Sequence, residues 1–192
     1  MNKRIIIGIT GASGAIYGIR LLEAFKHVGI ETHLVVSKAG QITLAHEMDI
    51  SAQAIPSLAN YYHNCGDLSA SIASGSFKTL GMVIAPCSMR SLGEIATGIS
   101  SSLLTRAADV VLKERRKLVL MVRETPLHSI HLRNMAAVSD AGGIIAPPVP
   151  AFYNKPSCID DIVNHTTGRV LDLFDLEHQL LTRWNGLQKS IS

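Results

Sequence analysis

Short apolar runs alternate with amphipathic stretches along most of the chain. Runs rich in β-branched and aliphatic residues predict strands at 5–9, 32–36, 82–85, 117–122 and 143–146. Apolar residues at helical spacing predict helices at about 16–25, 41–46, 89–97, 102–114 and 127–139, and one or two more within 158–187. The segment 48–76 is polar and carries loop signals.

Apolar strands separated by helices are typical of a parallel sheet that is covered on both faces. We therefore predict one doubly wound α/β domain spanning residues 1–192, with a C-terminal helical arm over about 158–187. The pattern leaves the strand order open.

The amino-acid composition excludes some classes of protein and favours others. The 192 residues are 47% hydrophobic and 17% charged, with a mean hydropathy of +0.24, which excludes a disordered chain. No apolar stretch reaches about 18 residues and the N-terminus runs directly into a strand, so we expect a cytoplasmic protein without a membrane span. Aromatic residues are only 5%. Such apolar character with few aromatics favours homo-oligomerisation, because apolar surface must be buried somewhere.

Charge and cysteine content exclude several kinds of site. The net charge of +3 is too small to indicate nucleic-acid binding, and the basic run Lys113–Lys117 fits a solvated helix end. Three widely spaced cysteines without a CxxC motif indicate neither a disulfide framework nor a zinc site. His128 and His131 lack a third ligand in the sequence, so no metal is expected.

The first strand-to-helix loop is the first candidate binding element. It reads Thr-Gly-Ala-Ser-Gly-Ala over Thr10–Ala15, and its glycines and backbone amides suit an anion. It matches neither the dinucleotide fingerprint nor a Walker A loop. Both a plain tight turn and a phosphate or cofactor site remain open.

Three further strand ends carry hydroxyl or charged groups, at 36–38, 85–91 and 122–126. The carboxyl ends of parallel strands share one edge, so these groups indicate a mononucleotide site. No acidic residue stands about 20 residues after the first loop, which argues against NAD. Arg123 and Glu124 fit either this site or a structural ion pair.

Taken together, these motifs resemble the bacterial flavin prenyltransferases of ubiquinone biosynthesis, formerly described as aromatic-acid decarboxylases. The resemblance covers essentially the whole chain and rests on six blocks in order: Gly11–Ala15, Cys87–Met89, Arg106–Val110, Leu112–Arg116, Arg123–Leu127 and Pro150–Tyr153. It implies a Rossmann-like or flavodoxin-like fold.

The resemblance also implies the reaction. Reduced FMN would be joined at N5 and C6 to the dimethylallyl group of dimethylallyl phosphate, without a metal. The prenylated FMN would then serve a partner decarboxylase in ubiquinone or aromatic-acid metabolism. The family further implies a homo-oligomer, a dodecamer. Preference for the monophosphate over the pyrophosphate is the family expectation, which the residues do not decide.

Site residues follow from the resemblance by position. The implied FMN-binding residues are Gly11, Ala12, Ser13, Ser37, Ser88, Met89, Arg90, Ser91, Arg106 and Arg123. The implied ligands of the prenyl phosphate are Lys113, Tyr153 and Arg169, with Arg106 supporting the phosphates. The implied catalytic residues are Ser13, Glu47, Lys113 and Glu124, with Glu124 exchanging a proton with the phosphate.

Two pairs of residues depart from the family pattern, and three other functions remain as alternatives. Family members often read Lys-Thr at Arg90–Ser91, and Asp-Gly or Asn-Asn at Ser101–Ser102. The alternatives are a non-enzymatic FMN carrier, direct decarboxylation of an aromatic acid, and a related flavin-dependent cysteine decarboxylase. The last resembles this fold but carries a Pro-Ala-Ser-Ala-Asn-Thr block where residues 85–90 read Ala-Pro-Cys-Ser-Met-Arg.

Overall fold

The computed structural model describes residues 3–181 and residue 183. Six strands form one sheet: β1 (Arg4–Ile9), β2 (Glu31–Val36), β3 (Tyr61–His63), β4 (Gly81–Cys87), β5 (Lys117–Val122) and β6 (Ile144–Ile145). Six α-helices follow the strands or close the chain: α1 (Ala15–His27), α2 (Lys38–Met48), α3 (Met89–Ala96), α4 (Leu103–Lys113), α5 (Ser129–Asp140) and α6 (Ile159–Leu173). None of the described helices is long and apolar enough to cross a membrane.

The sheet has the order β3-β2-β1-β4-β5-β6, and every pair of neighbours is parallel. This confirms the predicted doubly wound, Rossmann-like fold and supplies the strand order. The chain direction across the sheet reverses between β1 and β4, which creates a crevice at the carboxyl ends of these two strands.

Two buried layers hold the helices on opposite faces of the sheet. Alternate residues of β1 explain both layers: Ile5, Ile7 and Ile9 face α1, α2 and α6, whereas Ile6 faces α3, α4 and α5. Each of these isoleucines is no more than 2% exposed. The continuous apolar runs of the sequence therefore reflect strands that are buried on both sides.

Two strands differ from the sequence-based expectation. β3 was not predicted, because it is a three-residue edge strand inside a polar segment. β4 continues through Pro86 to Cys87, although the proline was expected to end the strand; its pairing with β5 shifts register there. The remaining strands and helices confirm the pattern to within a few residues at their ends.

The predicted C-terminal arm is helical only as far as Leu173. Residues 174–181 contain no helix, because Asp175 has a positive φ of 56° and His178 turns back to hydrogen-bond Asp172 at 3.1 Å. Residues 182 and 184–187 of the predicted arm lie outside the described residues.

A histidine pair, of which His33 is the buried member, lies where the edge strand β3 pairs with β2. His33 is 3% exposed; its Nδ1 lies 2.9 Å from Nε2 of His63, and its Nε2 lies 3.0 Å from the Glu31 carboxylate. Burial lowers the pKa of His33, although Glu31 opposes this effect. Burial and the neighbouring His33 lower the pKa of His63.

We expect this pair to make the protein less stable in mild acid. A histidine whose pKa is lowered by folding makes its full contribution to stability at pH values above its pKa in the unfolded chain, which is about 6.5. This contribution is lost as the pH falls, because the unfolded chain then binds more protons than the folded one. The melting temperature should therefore drop between about pH 7.5 and about pH 5.5. His63→Gln should reduce the drop, whereas His46→Gln, at an exposed histidine, should not. An equal drop in all three proteins would contradict this explanation.

Candidate active site at the carboxyl edge of the sheet

Thr10 joins the two strands that border the crevice. Its side chain is buried, and its hydroxyl donates to the carbonyl of Pro86 at 2.7 Å. The same oxygen accepts the backbone N–H of Ser88 at 2.8 Å. These bonds hold the loop after β1 against the loop after β4. They therefore fix the relative position of the two loops that border the crevice.

Three helices begin at the crevice, and each is capped by a serine. Ser37 accepts the Gly40 N–H at 3.0 Å, Ser88 accepts the Ser91 N–H at 3.3 Å, and Ser102 accepts the Thr105 N–H at 3.4 Å. The first turns of α2, α3 and α4 therefore direct partly positive backbone N–H groups toward the same space. Such a space favours an anionic ligand.

A cavity of about 580 Å³ lies between these helix ends. Its lining comes from all three helices and from the loop after β1: Gly11, Ser37, Lys38, Ala39, Cys65, Gly66, Ser88, Arg90, Ser91, Glu94, Ser101, Ser102, Leu104 and Thr105. The predicted residues Gly11, Ser37, Ser88, Arg90 and Ser91 are thus brought together, as the strand-end pattern indicated. The volume lies within the range of small-molecule sites.

Glycine is required where α2 approaches β1. A Cβ at Gly11 would lie 2.4 Å from the Cβ of Ala39, and a Cβ at Gly40 would lie 2.6 Å from the carbonyl oxygen of Ile9. Both distances are shorter than real contacts, so any side chain would push α2 away. The close approach places the N-terminus of α2 against the cavity.

A charged cluster lies at the rim of the cavity. Glu94 accepts hydrogen bonds from Arg90 Nε at 2.9 Å and from the Ser101 hydroxyl at 2.6 Å. Partial burial acts to raise the pKa of Glu94, but the hydrogen bonds from Ser101 and Arg90 outweigh it and hold the pKa below its usual value. Glu94 is therefore ionised at neutral pH and balances the charge of Arg90, whose side chain is 84% exposed.

A second cluster surrounds the N-terminus of α1. Glu47 accepts the backbone N–H groups of Gly14 and Ala15, both at 2.9 Å, and a hydrogen bond from the Ser13 side chain. Partial burial acts to raise the pKa of Glu47, but these bonds and the positive charge of Arg123 hold it below its usual value. The predicted residues Ser13, Glu47 and Arg123 therefore lie together, and the Glu47 carboxylate is ionised at neutral pH.

Other predicted residues flank these clusters. Ala12 lies in the loop after β1, and Met89 packs beside the apolar layer of α3, α4 and α5. Glu124 follows Arg123 and is exposed; its carboxylate accepts the N–H of Thr125 at 3.0 Å. The ion pairs found among the described residues do not include one between Arg123 and Glu124.

The remaining predicted residues, Arg106, Lys113, Tyr153 and Arg169, lie neither in the lining of the cavity nor in the two clusters. Arg106 pairs with Asp109 on α4 at 2.7 Å, Arg169 pairs with Asp172 on α6 at 2.8 Å, and Lys113 pairs with Glu114. Tyr153 contacts His165. Lys113 ends α4 immediately before β5 begins, so it lies at the amino edge of the sheet, about 20 Å from the carboxyl edge. The ion pair between Lys117 and Asp175 places the end of α6, and with it Arg169, toward that same edge.

Sequence reasoning missed several cavity residues, among them Cys65, Glu94 and Thr105. The paired Ser102 and Thr105 form a capping box, a signal that could have marked the third helix end. Cys65 lies in the polar segment without periodicity and offered no signal. Within the described residues, no group of three or more His, Cys, Asp or Glu side chains is placed to hold a metal ion.

Comparisons with known proteins agree with this architecture. The family model "Flavoprotein" matches residues 1–173. Flavin prenyltransferase UbiX of Escherichia coli (strain K12) is 56% identical over 187 residues, which cover 96% of this chain and 99% of the relative. The crystal structure of AnUbiX (PadA1) in complex with FMN and dimethylallyl pyrophosphate is 48% identical with a TM-score of 0.95, and covers 98% of this chain and 100% of that one.

A second similar solved structure is a dodecamer. The dodecameric FMN-dependent UbiX-like decarboxylase from Escherichia coli O157:H7 is 51% identical, with a TM-score of 0.92, and covers 95% of this chain and 100% of that one. The cysteine decarboxylase TvaF, at 16% identity and a TM-score of 0.61, shares the fold alone. The resemblance inferred from the sequence motifs is confirmed: the chain belongs to the flavoprotein family and, within it, to the flavin prenyltransferases.

Proposed function

We propose that this protein joins the dimethylallyl group of dimethylallyl phosphate to N5 and C6 of reduced FMN. The product, prenylated FMN, is passed to a partner decarboxylase of ubiquinone or aromatic-acid metabolism. The observation that carries the proposal is the carboxyl-edge cavity, formed by three helix N-termini in a chain that shares its fold and half its residues with flavin prenyltransferases.

The residues of the cavity fit FMN. The N–H groups at the starts of α2, α3 and α4 suit a phosphate, and the hydroxyls of Ser37, Ser88 and Ser91 can bond phosphate or ribityl oxygens. We assign Gly11 and Ala12 to the backbone that approaches the flavin, with Met89 and Arg90 beside it. We also assign Ser13 and Arg123, which lie with Glu47 at the N-terminus of α1, to the flavin.

The proposed ligands of the prenyl phosphate require more than one copy of the chain. Lys113 and Arg169 lie toward the amino edge of the sheet, whereas the cavity opens at the carboxyl edge. We therefore propose that Lys113, Tyr153 and Arg169, supported by Arg106, reach the cavity of a neighbouring protomer within a homododecamer. Large exposed apolar side chains support such contacts: Ile130, Leu132, Val149, Phe152 and Ile159 are 53–74% exposed.

The proposed chemistry assigns separate tasks to the charged residues. Negative charge grows on the phosphate as its bond to the dimethylallyl group breaks. Lys113 and Arg169 would stabilise that charge in a site closed to water. Glu124 would exchange a proton with the departing phosphate. Glu47 is ionised and bonded to Ser13, so this pair would accept a proton released beside the flavin. Bound reduced FMN supplies the nucleophilic ring atoms.

A coupled assay separates prenyl transfer from the alternatives. The protein, reduced FMN and dimethylallyl phosphate should together activate an apo-decarboxylase that depends on prenylated FMN, whereas omission of the prenyl phosphate should prevent activation. Activation without the prenyl donor would indicate an FMN carrier. Release of CO2 from an aromatic acid by the purified protein alone would indicate direct decarboxylation.

The remaining assignments concern the whole chain. We propose that residues 1–192 act as one functional unit and that the enzyme works in the cytoplasm. The three cysteines are free thiols, and Cys87 is fully buried, which suits a reducing compartment.

Thr10→Val is expected to weaken both FMN binding and the fold. The valine keeps the shape of the side chain but leaves the buried N–H of Ser88 without its acceptor, at a cost of about 1–3 kcal/mol. The dissociation constant of FMN should rise about tenfold. Flavin titration and thermal unfolding measure the two effects. Thr10→Ser keeps the hydroxyl and should behave as wild type; equal losses in both variants would contradict the hydrogen-bond explanation.

Prenyl transfer is expected to continue in EDTA at an unchanged rate. The proposal places lysine and arginine side chains on the phosphate in the role that Mg²⁺ plays in other transferases. The initial rate with and without the chelator is the measurement. Loss of activity in EDTA, with recovery on addition of Mg²⁺, would contradict the assignment.

A further inference from the structure

Glu94 places a carboxylate in the lining of a cavity whose helix N-termini favour an anion. Its side chain is 17% exposed, and both of its oxygens accept hydrogen bonds. Oε1 accepts Nε–H of Arg90 at 2.9 Å, and Oε2 accepts the Ser101 hydroxyl at 2.6 Å. Ser101 lies between α3 and α4, so it fixes Glu94 from outside its own helix. An acid in such a cavity would repel a phosphate, and its presence there therefore calls for a role.

Helix stability does not explain the ion pair between Arg90 and Glu94. Arg90 is the second residue of α3, where the helix dipole disfavours a cation. An arginine four residues before a glutamate is also the weaker order for a pair on one helix. Because Arg90 is 84% exposed, the pair adds little to the free energy of unfolding. An anionic ligand at the start of α3 would offset the unfavourable placement of Arg90.

The bond to Glu94 decides which N–H groups Arg90 can offer a ligand. The carboxylate takes Nε–H, and Nη1 and Nη2 have no hydrogen-bond partner among the residues that the structure describes. A guanidinium bonds a phosphate through a fork of parallel N–H groups, and Nη1 and Nη2 form such a fork. An arginine already held at Nε loses less rotamer freedom when it binds a ligand than one that moves freely in solvent. Glu94 therefore preorganises Arg90.

We propose that Glu94 is a positioning residue that holds Arg90 at Nε and so directs Nη1 and Nη2 to the phosphate of FMN. The inference rests on the proposed function, because it acts through the assignment of Arg90 to FMN. Riboflavin lacks the phosphate, so the contribution of Glu94 to binding should appear with FMN alone. A purely structural Glu94 would only join α3 to Ser101, and its loss would weaken the binding of both flavins equally.

Two uncharged variants of Glu94 separate these roles. Glu94→Gln keeps an oxygen for Nε–H of Arg90, because the Ser101 hydroxyl can accept from the amide as well as it donates to the carboxylate. Glu94→Ala keeps neither bond. Both variants remove the same negative charge, so the direct repulsion of the phosphate cancels when they are compared.

The dissociation constant of FMN, measured by flavin titration, should be about 3–10-fold higher for Glu94→Ala than for Glu94→Gln, the effect of one hydrogen bond. The dissociation constants of riboflavin should agree within about twofold. Equal FMN affinities in the two variants, or an equal difference with riboflavin, would overturn the proposal.

A double-mutant cycle with Arg90→Ala tests whether the effect passes through the arginine. Arg90→Ala alone should weaken the binding of FMN, and Glu94→Gln and Glu94→Ala should bind FMN equally in that background. A difference that persists without Arg90 would overturn the positioning role. If wild type binds FMN and the two Glu94 variants do not differ, the inference fails while the proposed function stands. If wild type binds no FMN, the proposed function fails, and the inference fails with it.

Discussion

Lys113→Ala is expected to slow prenyl transfer by about 100-fold or more, while FMN binds within about threefold of its wild-type affinity. The lysine is assigned to the charge that grows on the departing phosphate, and it lies about 20 Å from the flavin cavity of its own chain. Single-turnover rates and flavin titration on one preparation measure both quantities. Arg115→Ala removes an exposed charge from the same basic run and is the matched control, with an expected rate near wild type.

The position of Lys113 allows a stronger form of this test. Gly11→Val should abolish flavin binding, because even a Cβ at this position lies 2.4 Å from Ala39. Each variant alone should be inactive, but co-assembled Lys113→Ala and Gly11→Val chains should regain activity, since one chain supplies the cavity and another the lysine. Mixed assemblies that form, as shown by native mass spectrometry, and remain inactive would contradict a site shared between protomers.

Glu124→Gln is expected to slow prenyl transfer by at least about tenfold without loss of bound flavin. The glutamine keeps the oxygen that accepts the Thr125 N–H, so the loop after β5 should keep its shape. It cannot exchange a proton with the phosphate, so only the transition state loses a contribution. Flavin occupancy, melting temperature and single-turnover rate should be measured together, with the exposed Glu177→Gln as control.

A structural role for Glu124 predicts the reverse pattern. The substitution would then lower the melting temperature or the flavin occupancy and leave the rate per bound flavin nearly intact. A normal rate per bound flavin would remove Glu124 from the catalytic residues.

Much of the fold could be predicted because burial on both sides of the sheet leaves a continuous apolar run in each central strand. β1 and β5 show this pattern, and both were located from it. β3 could not be found, because an edge strand of three residues needs no such run. The C-terminal arm was extended past Leu173, because the apolar residues Phe174 and Leu180 look helical in sequence but pack on the core from a non-helical segment.

The candidate site, like the fold, could be predicted from the sequence only in part. Strand-end loops are local in sequence, and parallel strands bring them to one edge, so Gly11, Ser37 and Ser88 could be placed together before the structure was considered. Glu94 could not, because its partners Arg90 and Ser101 meet it only when α3 and the loop before α4 are folded. Lys113 and Arg169 lie outside the cavity of one chain, so their proposed role depends on an assembly that sequence spacing does not reveal.

The central claim is that the protein transfers a dimethylallyl unit to FMN. Its most direct test is mass spectrometry of the flavin extracted after anaerobic incubation of the protein with reduced FMN and dimethylallyl phosphate, with the pyrophosphate in a parallel reaction. The claim predicts that the flavin gains the mass of one dimethylallyl unit with the monophosphate, and that this product is absent without protein. Flavin recovered unmodified from both donors, although FMN was bound at full occupancy, would contradict it.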